Sequence, residues 1–317
     1  MFEKIGEFAY KWCAENNPWT NVYGLARTII ASSTALTLAL NDTTTFFKPG
    51  AGVNTFPNCS ENFSIFCTVP NEYMYLSLIK WLCVILLIVV ASGWRPRITG
   101  VIHWWISYSV QVAAMTTDGG EQVAAVLTLL LIPITLTDSR KWHWNAEESS
   151  LVSSTDYYKR LIALVTIWVI RFQMAILYLN STIAKLAEDD WINGTAVYYY
   201  IQDPMLGLPK FLLNILHPVI SSSLIILPTW GTIILQFLLF AAFLAPKKIW
   251  KNILVAAILM HEVFALMLGL ISFSMIMIGA LILYLRPSEQ AFSFKGVKKF
   301  KRRNKISVPI YEKSKGA

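Results

Sequence analysis

Apolar runs long enough to cross a lipid bilayer recur along this chain and restrict its fold more than any other feature. Hydrophobic residues make up 55% of the 317 residues, and charged residues make up only 15%. A transmembrane helix needs about 20 predominantly apolar residues. We therefore predict an all-α fold, a polytopic transmembrane helical bundle without a sizeable soluble domain.

About eight spans account for these runs. The last apolar stretch, residues 253–285, would be about 50 Å long as one helix at about 1.5 Å per residue. The hydrocarbon core of a bilayer is about 30 Å thick, so we expect two short spans that meet near Gly269. The other six are expected at residues 22–40, 75–91, 98–115, 123–136, 161–184 and 220–244.

The distribution of Lys and Arg predicts the orientation of the spans. Basic residues concentrate in alternate connections and in the tail, whereas most carboxylates lie in the other connections. We expect both termini in the cytoplasm, in a multi-pass protein of the plasma membrane, and we expect no cleavable signal peptide. The net charge of +8 indicates contact with anionic membrane lipids rather than nucleic acid. Three regions are predicted: an interfacial amphipathic helix at 1–22, a transmembrane helical domain at 23–286 and a basic cytoplasmic tail at 287–317.

Two of the four cysteines, Cys59 and Cys67, share one polar loop. The predicted orientation places this loop outside the cell, where an oxidising environment favours a disulfide between them. Two free thiols remain the alternative. A disulfide-exchange role is also open, but the spacing lacks a Cys-x-x-Cys motif and favours a structural bond.

The fifth span carries unusual polar residues. Arg171 and Gln173 interrupt its apolar run, and Lys185 closes it. A charge near mid-membrane costs at least ~2.5–3.5 kcal/mol, so Arg171 should face protein or water. Arg171, Tyr178 and Lys185 are spaced seven residues apart, which places them along one stripe of a helix. The sequence therefore predicts a polar, ligand-binding stripe on this span.

Lys185 is the candidate catalytic base, because a partly desolvated lysine can serve as a base or nucleophile. The alternative is a lysine that extends toward water and pairs with Glu188 or Asp189. Arg171 could bind an anionic group of a ligand or a carboxylate such as Asp118 or Glu262, or it could form an internal ion pair. Further candidate ligand-binding residues follow the span: Glu188, Asp189, Asp190, Trp191 and Asp203.

Three other positions are weighed as members of the site. His261 and Glu262 are adjacent in an apolar span, which marks a buried functional or pairing site. His103 lies among aromatic residues, where a structural role is the alternative. Asp118 begins a tight acidic turn that also fits a helix cap. The four histidines are far apart and the cysteines are not clustered, so we expect no metal site.

Two resemblances extend this interpretation. Tyr178–Leu186, followed by Trp191–Gly194, resembles the horizontally transferred transmembrane domain of vitamin K-dependent gamma-carboxylases, and the segment around His261 is similar to a second part of it. This resemblance implies that Lys185 matches the lysine taken as the base on reduced vitamin K, and it implies a quinone-like cofactor, although the residues alone identify none. The large extramembrane region of those carboxylases has no counterpart here, so carboxylation of glutamates is not expected.

A closer resemblance covers nearly the whole chain and is to the sporulation-delaying protein B family of Gram-positive bacteria. It implies a membrane protein that acts with a small partner protein to convert a secreted, ribosomally made toxin precursor into an antimicrobial killing peptide. The segments that carry it are Tyr23–Thr28, Asp118–Ala125, Leu129–Asp138, Arg171–Met174, Asp190–Gly207 and Leu281–Pro287.

Three functions therefore remain open. The first is a factor for the maturation of a secreted antimicrobial peptide, which binds the precursor at the outer end of the fifth span. The second is a carboxylase-like membrane enzyme that uses Lys185 as a base on a quinone-like or lipid-like ligand. The third is a non-catalytic membrane scaffold or an immunity-type binder.

Overall fold

The computed structural model describes residues 2–49, 56–57, 59, 62–145 and 153–292, and these residues form helices and no β-strand. The first helices along the chain are α1 (Phe2–Glu15), α2 (Asn21–Leu40), α3 (Thr43–Phe46), α4 (Tyr73–Ser92), α5 (Pro96–Ala113) and α6 (Gly119–Thr137). The remaining helices are α7 (Ser154–Leu186), α8 (Asp189–Ile192), α9 (Ala196–Gln202), α10 (Lys210–Ile220), α11 (Ile226–Ala241), α12 (Lys247–Leu268) and α13 (Ile271–Leu285).

Six helical segments are long and apolar enough to cross a bilayer: α2, α4, α6, α7, the segment Ser223–Ala241 that contains α11, and α12. The predicted all-helical fold is confirmed for the described residues, and it contains six helices that could span a membrane. The other two expected spans correspond to α5 and the 15-residue α13. The count of eight spans, the cytoplasmic termini and the division into three regions stay predictions, and residues 293–317 of the basic tail lie outside the described residues.

The long apolar stretch at 253–285 is divided at Gly269. This glycine has a φ of +70°, a left-handed conformation that side chains with a Cβ rarely adopt. It ends α12 after Leu268, and α13 begins at Ile271. The two helices therefore form an antiparallel pair, with the break at the position that the sequence predicted.

The N-terminal helix is shorter than the region assigned to it. α1 ends at Glu15, because Pro18 cannot continue a helix and the Thr20 side chain caps α2 by accepting a hydrogen bond from the Val22 amide. Its apolar side chains Ile5 and Phe8 are exposed. The helix is tied to the start of α7, where Arg160 donates to the Cys13 carbonyl over 3.1 Å.

Two hydrophobic clusters hold the bundle together. The larger cluster joins α2, α6, α7, α11, α12 and α13, with α13 at its centre, and the smaller cluster joins α2, α3, α4 and α5. Helices α5 and α6 pack closely because Gly100 has no side chain at their contact. A Cβ on Gly100 would lie 2.6 Å from the Cβ of Thr135, which is too close for van der Waals contact.

The segment between α3 and α4 covers one end of the bundle, which we call the disulfide end. Cys59 and Cys67 form a disulfide with their Cα atoms 5.7 Å apart. The adjoining short helix is tied to α5, because the Ile65 amide donates to the Ser109 hydroxyl over 2.9 Å. Phe66 is fully buried and packs on Phe47, with ring centroids 4.8 Å apart.

The opposite end, which we call the basic end, is closed by a buried polar cluster. Arg140 and Asp138 form an ion pair at 2.8 Å, and the Tyr23 hydroxyl donates to the same carboxylate over 2.6 Å. The His143 ring lies against Gly24 and Gly93. Burial, reinforced by the charges of Arg27 and Arg140, lowers the pKa of His143 to about 2. This histidine is therefore neutral at physiological pH, which suits its packed position.

The close approach of α5 and α6 predicts different effects for two Gly→Ala substitutions. Gly100→Ala should lower the free energy of unfolding by about 1–3 kcal/mol, because the added methyl group overpacks the contact with Thr135. Gly231→Ala on α11 is the control, since a Cβ there meets nothing within 4 Å. Unfolding of the purified proteins in detergent, followed by circular dichroism, measures both changes. Equal effects of the two substitutions would contradict the close packing.

Candidate functional site

Lys185 lies in the last turn of α7 and is partly buried. Its ammonium group donates to the Ser181 hydroxyl over 3.0 Å, because residues four apart are neighbours on a helix. The chain reverses after Leu186 and returns through α8, which places the Trp191 ring 5.0 Å from the Lys185 nitrogen. Gly194, with a φ of +79°, lies in the turn between α8 and α9.

Ser181 extends this contact to a neighbouring helix. Its hydroxyl donates to the side-chain oxygen of Gln236 on α11 over 3.1 Å, and Gln236 is buried. Lys185, Ser181 and Gln236 therefore form a hydrogen-bonded chain between α7 and α11. A partly buried ammonium group is thus held by neutral partners and an aromatic face.

The carboxylates that follow α7 do not neutralise Lys185. Glu188, Asp189 and Asp190 are exposed, and none of them lies within ion-pair distance of its nitrogen. The ion pair with Glu188 or Asp189, which was the alternative to a functional lysine, is therefore not formed in the part of the chain that the structure describes. The three carboxylates are instead exposed on the surface near the lysine.

Tyr178 and His261 form the next layer of the site. The Tyr178 hydroxyl lies 3.2 Å from Nε2 of His261, and both side chains are buried. The His261 ring packs on Phe273, with centroids 5.5 Å apart. The structure thus brings Tyr178 of α7 against His261 of α12, and Lys185 lies about two helical turns further along α7.

A cavity of about 480 Å³ adjoins this cluster between α6, α7 and α13. Its volume lies within the roughly 300–1,000 Å³ of small-molecule sites. Gln173 and Asn180 line it together with the apolar side chains of Leu177 and Met277. Ser181 and Phe273 belong both to this lining and to the contacts of Lys185 and His261, so the cavity and the cluster share a wall.

The cavity reaches the side of the bundle. Val126 and Ile176 belong to its lining, and they are 37% and 39% exposed. They lie on α6 and α7, two of the helices that are long enough to span a bilayer. An apolar molecule dissolved in the membrane could therefore enter between these helices.

Arg171 does not share this site. About 21 Å of helix, at about 1.5 Å per residue, separates it from Lys185. Its guanidinium carbon lies 5.2 Å from the Trp168 ring and 4.9 Å from the Trp250 ring. It also donates to the carbonyl of Arg286 over 3.4 Å. The predicted stripe is thus divided into a tryptophan-packed arginine toward the basic end and a lysine cluster at the disulfide end.

The other predicted members are dispersed and make local contacts. Asp118 caps α6 by accepting from the Gly120 amide over 2.8 Å. Asp203 accepts from two amides of the turn that follows α9. Glu262 is exposed and accepts from Ser274. His103 is buried on α5, near Arg27 of α2. The structure does not bring these four side chains to Lys185.

Sequence reasoning missed two members of the site, Ser181 and Gln236. The spacing of Ser181, one turn before Lys185, was a usable signal. Gln236 gives no such signal, because only the packing of α11 on α7 brings it to Ser181. Within the described ranges, no three His, Cys, Asp or Glu side chains come together as metal ligands.

Comparison with known proteins shows which family the chain belongs to. No protein-family model and no solved structure matches the sequence. Over 309 residues, 94% of each chain, it is 37% identical to the sporulation-delaying protein SdpB of Bacillus subtilis (strain 168). The chain belongs to the SdpB family. It is also 49% identical to the uncharacterized protein YitO of the same organism over 294 residues. This alignment covers 93% of this chain and 94% of YitO. The resemblance to the carboxylase domain stays a prediction.

The two cations of α7 should differ in their effect on stability. Arg171→Leu should lower the free energy of unfolding by about 1–3 kcal/mol, because it removes a buried cation from two tryptophan faces. Lys185→Met should change it by less than about 1 kcal/mol, since the side chain is partly exposed and has neutral partners. Unfolding in detergent measures both. A larger loss for Lys185→Met would indicate a structural role for this lysine.

Proposed function

We propose that this chain is an integral membrane protein that takes part in the production of a secreted, ribosomally made killing peptide. The chain is 37% identical to a sporulation-delaying protein over 94% of both chains, and this relationship carries the proposal. The six apolar helices support a location in the plasma membrane. The same proposal includes a small partner protein and the toxin precursor as the molecules with which the chain acts.

The disulfide end of α7 is the proposed site for the precursor. Lys185 is partly buried there, and the carboxylates of Glu188, Asp189 and Asp190 are exposed beside it. A peptide offers both carbonyl groups that an ammonium can bind and amide or cationic groups that carboxylates can bind. Exposed aromatic side chains at Tyr199 and Tyr200 add an apolar surface for its side chains. This region thus offers complementary groups to a peptide that lies at the membrane surface.

A second candidate function is a membrane enzyme in which Lys185 acts as a base. The cavity of about 480 Å³ favours it, because the cavity shares Ser181 with the lysine and its apolar lining reaches the side of the bundle. These residues fit a quinone-like or lipid-like molecule, which would supply a proton-accepting or proton-donating polar group. In this function Gln173 and Asn180 would orient the polar edge of the molecule, and the neutral amine form of Lys185 would accept a proton at its nitrogen.

A scaffold or immunity-type role is the third candidate, and substitution of Lys185 separates it from the other two. Lys185→Ala should reduce peptide activity in the culture medium by at least about tenfold, because a charged hydrogen-bonding group leaves the site. The control is Lys251→Ala, which removes an exposed lysine of α12. A growth-inhibition assay measures activity, and an immunoblot measures the level of each variant in the membrane.

The outcomes assign the function. Loss of activity at a normal protein level supports a functional Lys185, whereas full activity of Lys185→Ala leaves only a scaffold role. Mass spectrometry of the secreted peptide then separates the first two candidates. A mass difference that is present with the original protein and absent with Lys185→Ala indicates an enzyme. An unchanged mass with a lower yield indicates binding of the precursor without chemistry on it.

A further inference from the structure

A second polar cavity lies at the disulfide end of the bundle, where the ends of α2, α6 and α13 meet the segment around α3. Its volume is about 170 Å³. This is room for a small ion with a few water molecules, and it is far less than a peptide needs. Eight side chains that line it carry oxygen atoms: Thr37, Asn41, Thr45, Thr116, Thr117, Asp118, Glu121 and Ser272.

Glu121 supplies a buried carboxylate to this cavity. Its side chain is in the first turn of α6, and the residue is only 1% exposed. One carboxylate oxygen, Oε2, accepts from the Thr34 hydroxyl over 3.0 Å. The other, Oε1, has no hydrogen-bond partner among the described residues. A buried charge without a partner is unfavourable, so this oxygen indicates a partner that the chain itself does not provide.

Three hydroxyl groups around the cavity present lone pairs to it rather than protons. Thr37 donates to the Ser33 carbonyl over 3.0 Å, and Thr116 donates to the Thr45 carbonyl over 2.6 Å. Ser272 donates to the Asp118 carboxylate over 2.6 Å. Because these three protons point elsewhere, the oxygen atoms of these three hydroxyl groups can only accept at the cavity. Such a surface suits a group that donates or coordinates and does not accept.

The negative charge of the cavity is not balanced by the described side chains. Neither Asp118 nor Glu121 is in an ion pair there. Lys80 lies nearby, but its nitrogen donates to the Asn41 carbonyl over 2.8 Å. The N-terminus of α6 offsets only about half an elementary charge, against two carboxylates. A negative charge therefore remains at the cavity.

We propose that this cavity binds a small cation, with Glu121 as its main charged ligand and Asp118 and the neutral oxygens around it. Carboxylate, hydroxyl and amide oxygens are the ligands that Na⁺ and Ca²⁺ take. A primary ammonium group meets the same acceptors with three N–H donors. This cation site is separate from Lys185, and the inference does not rest on the proposed role in peptide production.

Titration of the purified full-length protein in detergent tests this proposal. CaCl₂, NaCl and methylammonium chloride are titrated separately by calorimetry, with choline chloride as a control for ionic strength because choline is too large and has no N–H group. We expect saturable binding of at least one of the first three. Saturation by a metal salt assigns the site to a metal ion, and saturation by methylammonium alone assigns it to an amine.

The same titration with variants locates the site. Glu121→Gln should weaken binding by roughly tenfold or more, because it removes the charged ligand. Glu72→Gln is the matched control, since this exposed carboxylate at the same end makes no side-chain cap bond and should leave binding unchanged. Lys185→Ala should also bind normally, which separates this proposal from the function of that lysine.

Asp118→Asn decides the matter if Glu121→Gln does not fold. Asparagine caps a helix as well as aspartate does, so α6 keeps its N-cap while the cavity loses one charge. Binding should weaken in this variant as well. The proposal is overturned if the original protein shows no saturable binding, or if the folded Glu121 and Asp118 variants bind as tightly as the original. Glu121 would then be a protonated carboxyl group with a structural role.

Discussion

Lipid offers no hydrogen bonds, so polar side chains inside a membrane-spanning bundle need partners within the protein. Arg171 packs on two tryptophan rings, Trp168 of its own helix and Trp250 of α12, and Asp138 pairs with Arg140 at the basic end. Trp250 and Tyr23 of α2, whose hydroxyl donates to Asp138, are partners from other helices. The buried polar groups therefore connect the helices of a bundle whose apolar surfaces have no preference for each other over lipid.

Lys185 meets the same constraint in a different way. Its partners are a hydroxyl group and an aromatic face, so its charge is solvated without being neutralised. A carboxylate within ion-pair distance of its nitrogen would have to be displaced before the lysine could bind another anion. The adjoining apolar cavity and the neutral partners together leave the ammonium group available to a ligand.

The sequence predicted the helical membrane class, and it predicted the break at Gly269 from the length of one apolar run. It also singled out Tyr178 and His261, whose side chains the structure brings into contact, and their role as site residues stays a prediction. The heptad spacing did not predict that Arg171 belongs elsewhere. Spacing orders residues along one helix, whereas Trp250 and Gln236 reach α7 only through the packing of other helices. Tertiary contacts of this kind leave no periodic signal.

The position of α13 has a consequence for biosynthesis. Ten of its 15 residues are buried, and it packs against α2, α6 and α7 as well as α12. All of these partners precede it in the chain, so a ribosome makes them first. Until residues 271–285 are made, the faces of these helices that pack on α13 lack that partner. The contacts of α5 with α6 and of α2 with α4 do not need α13, so α13 completes the larger hydrophobic cluster late in synthesis.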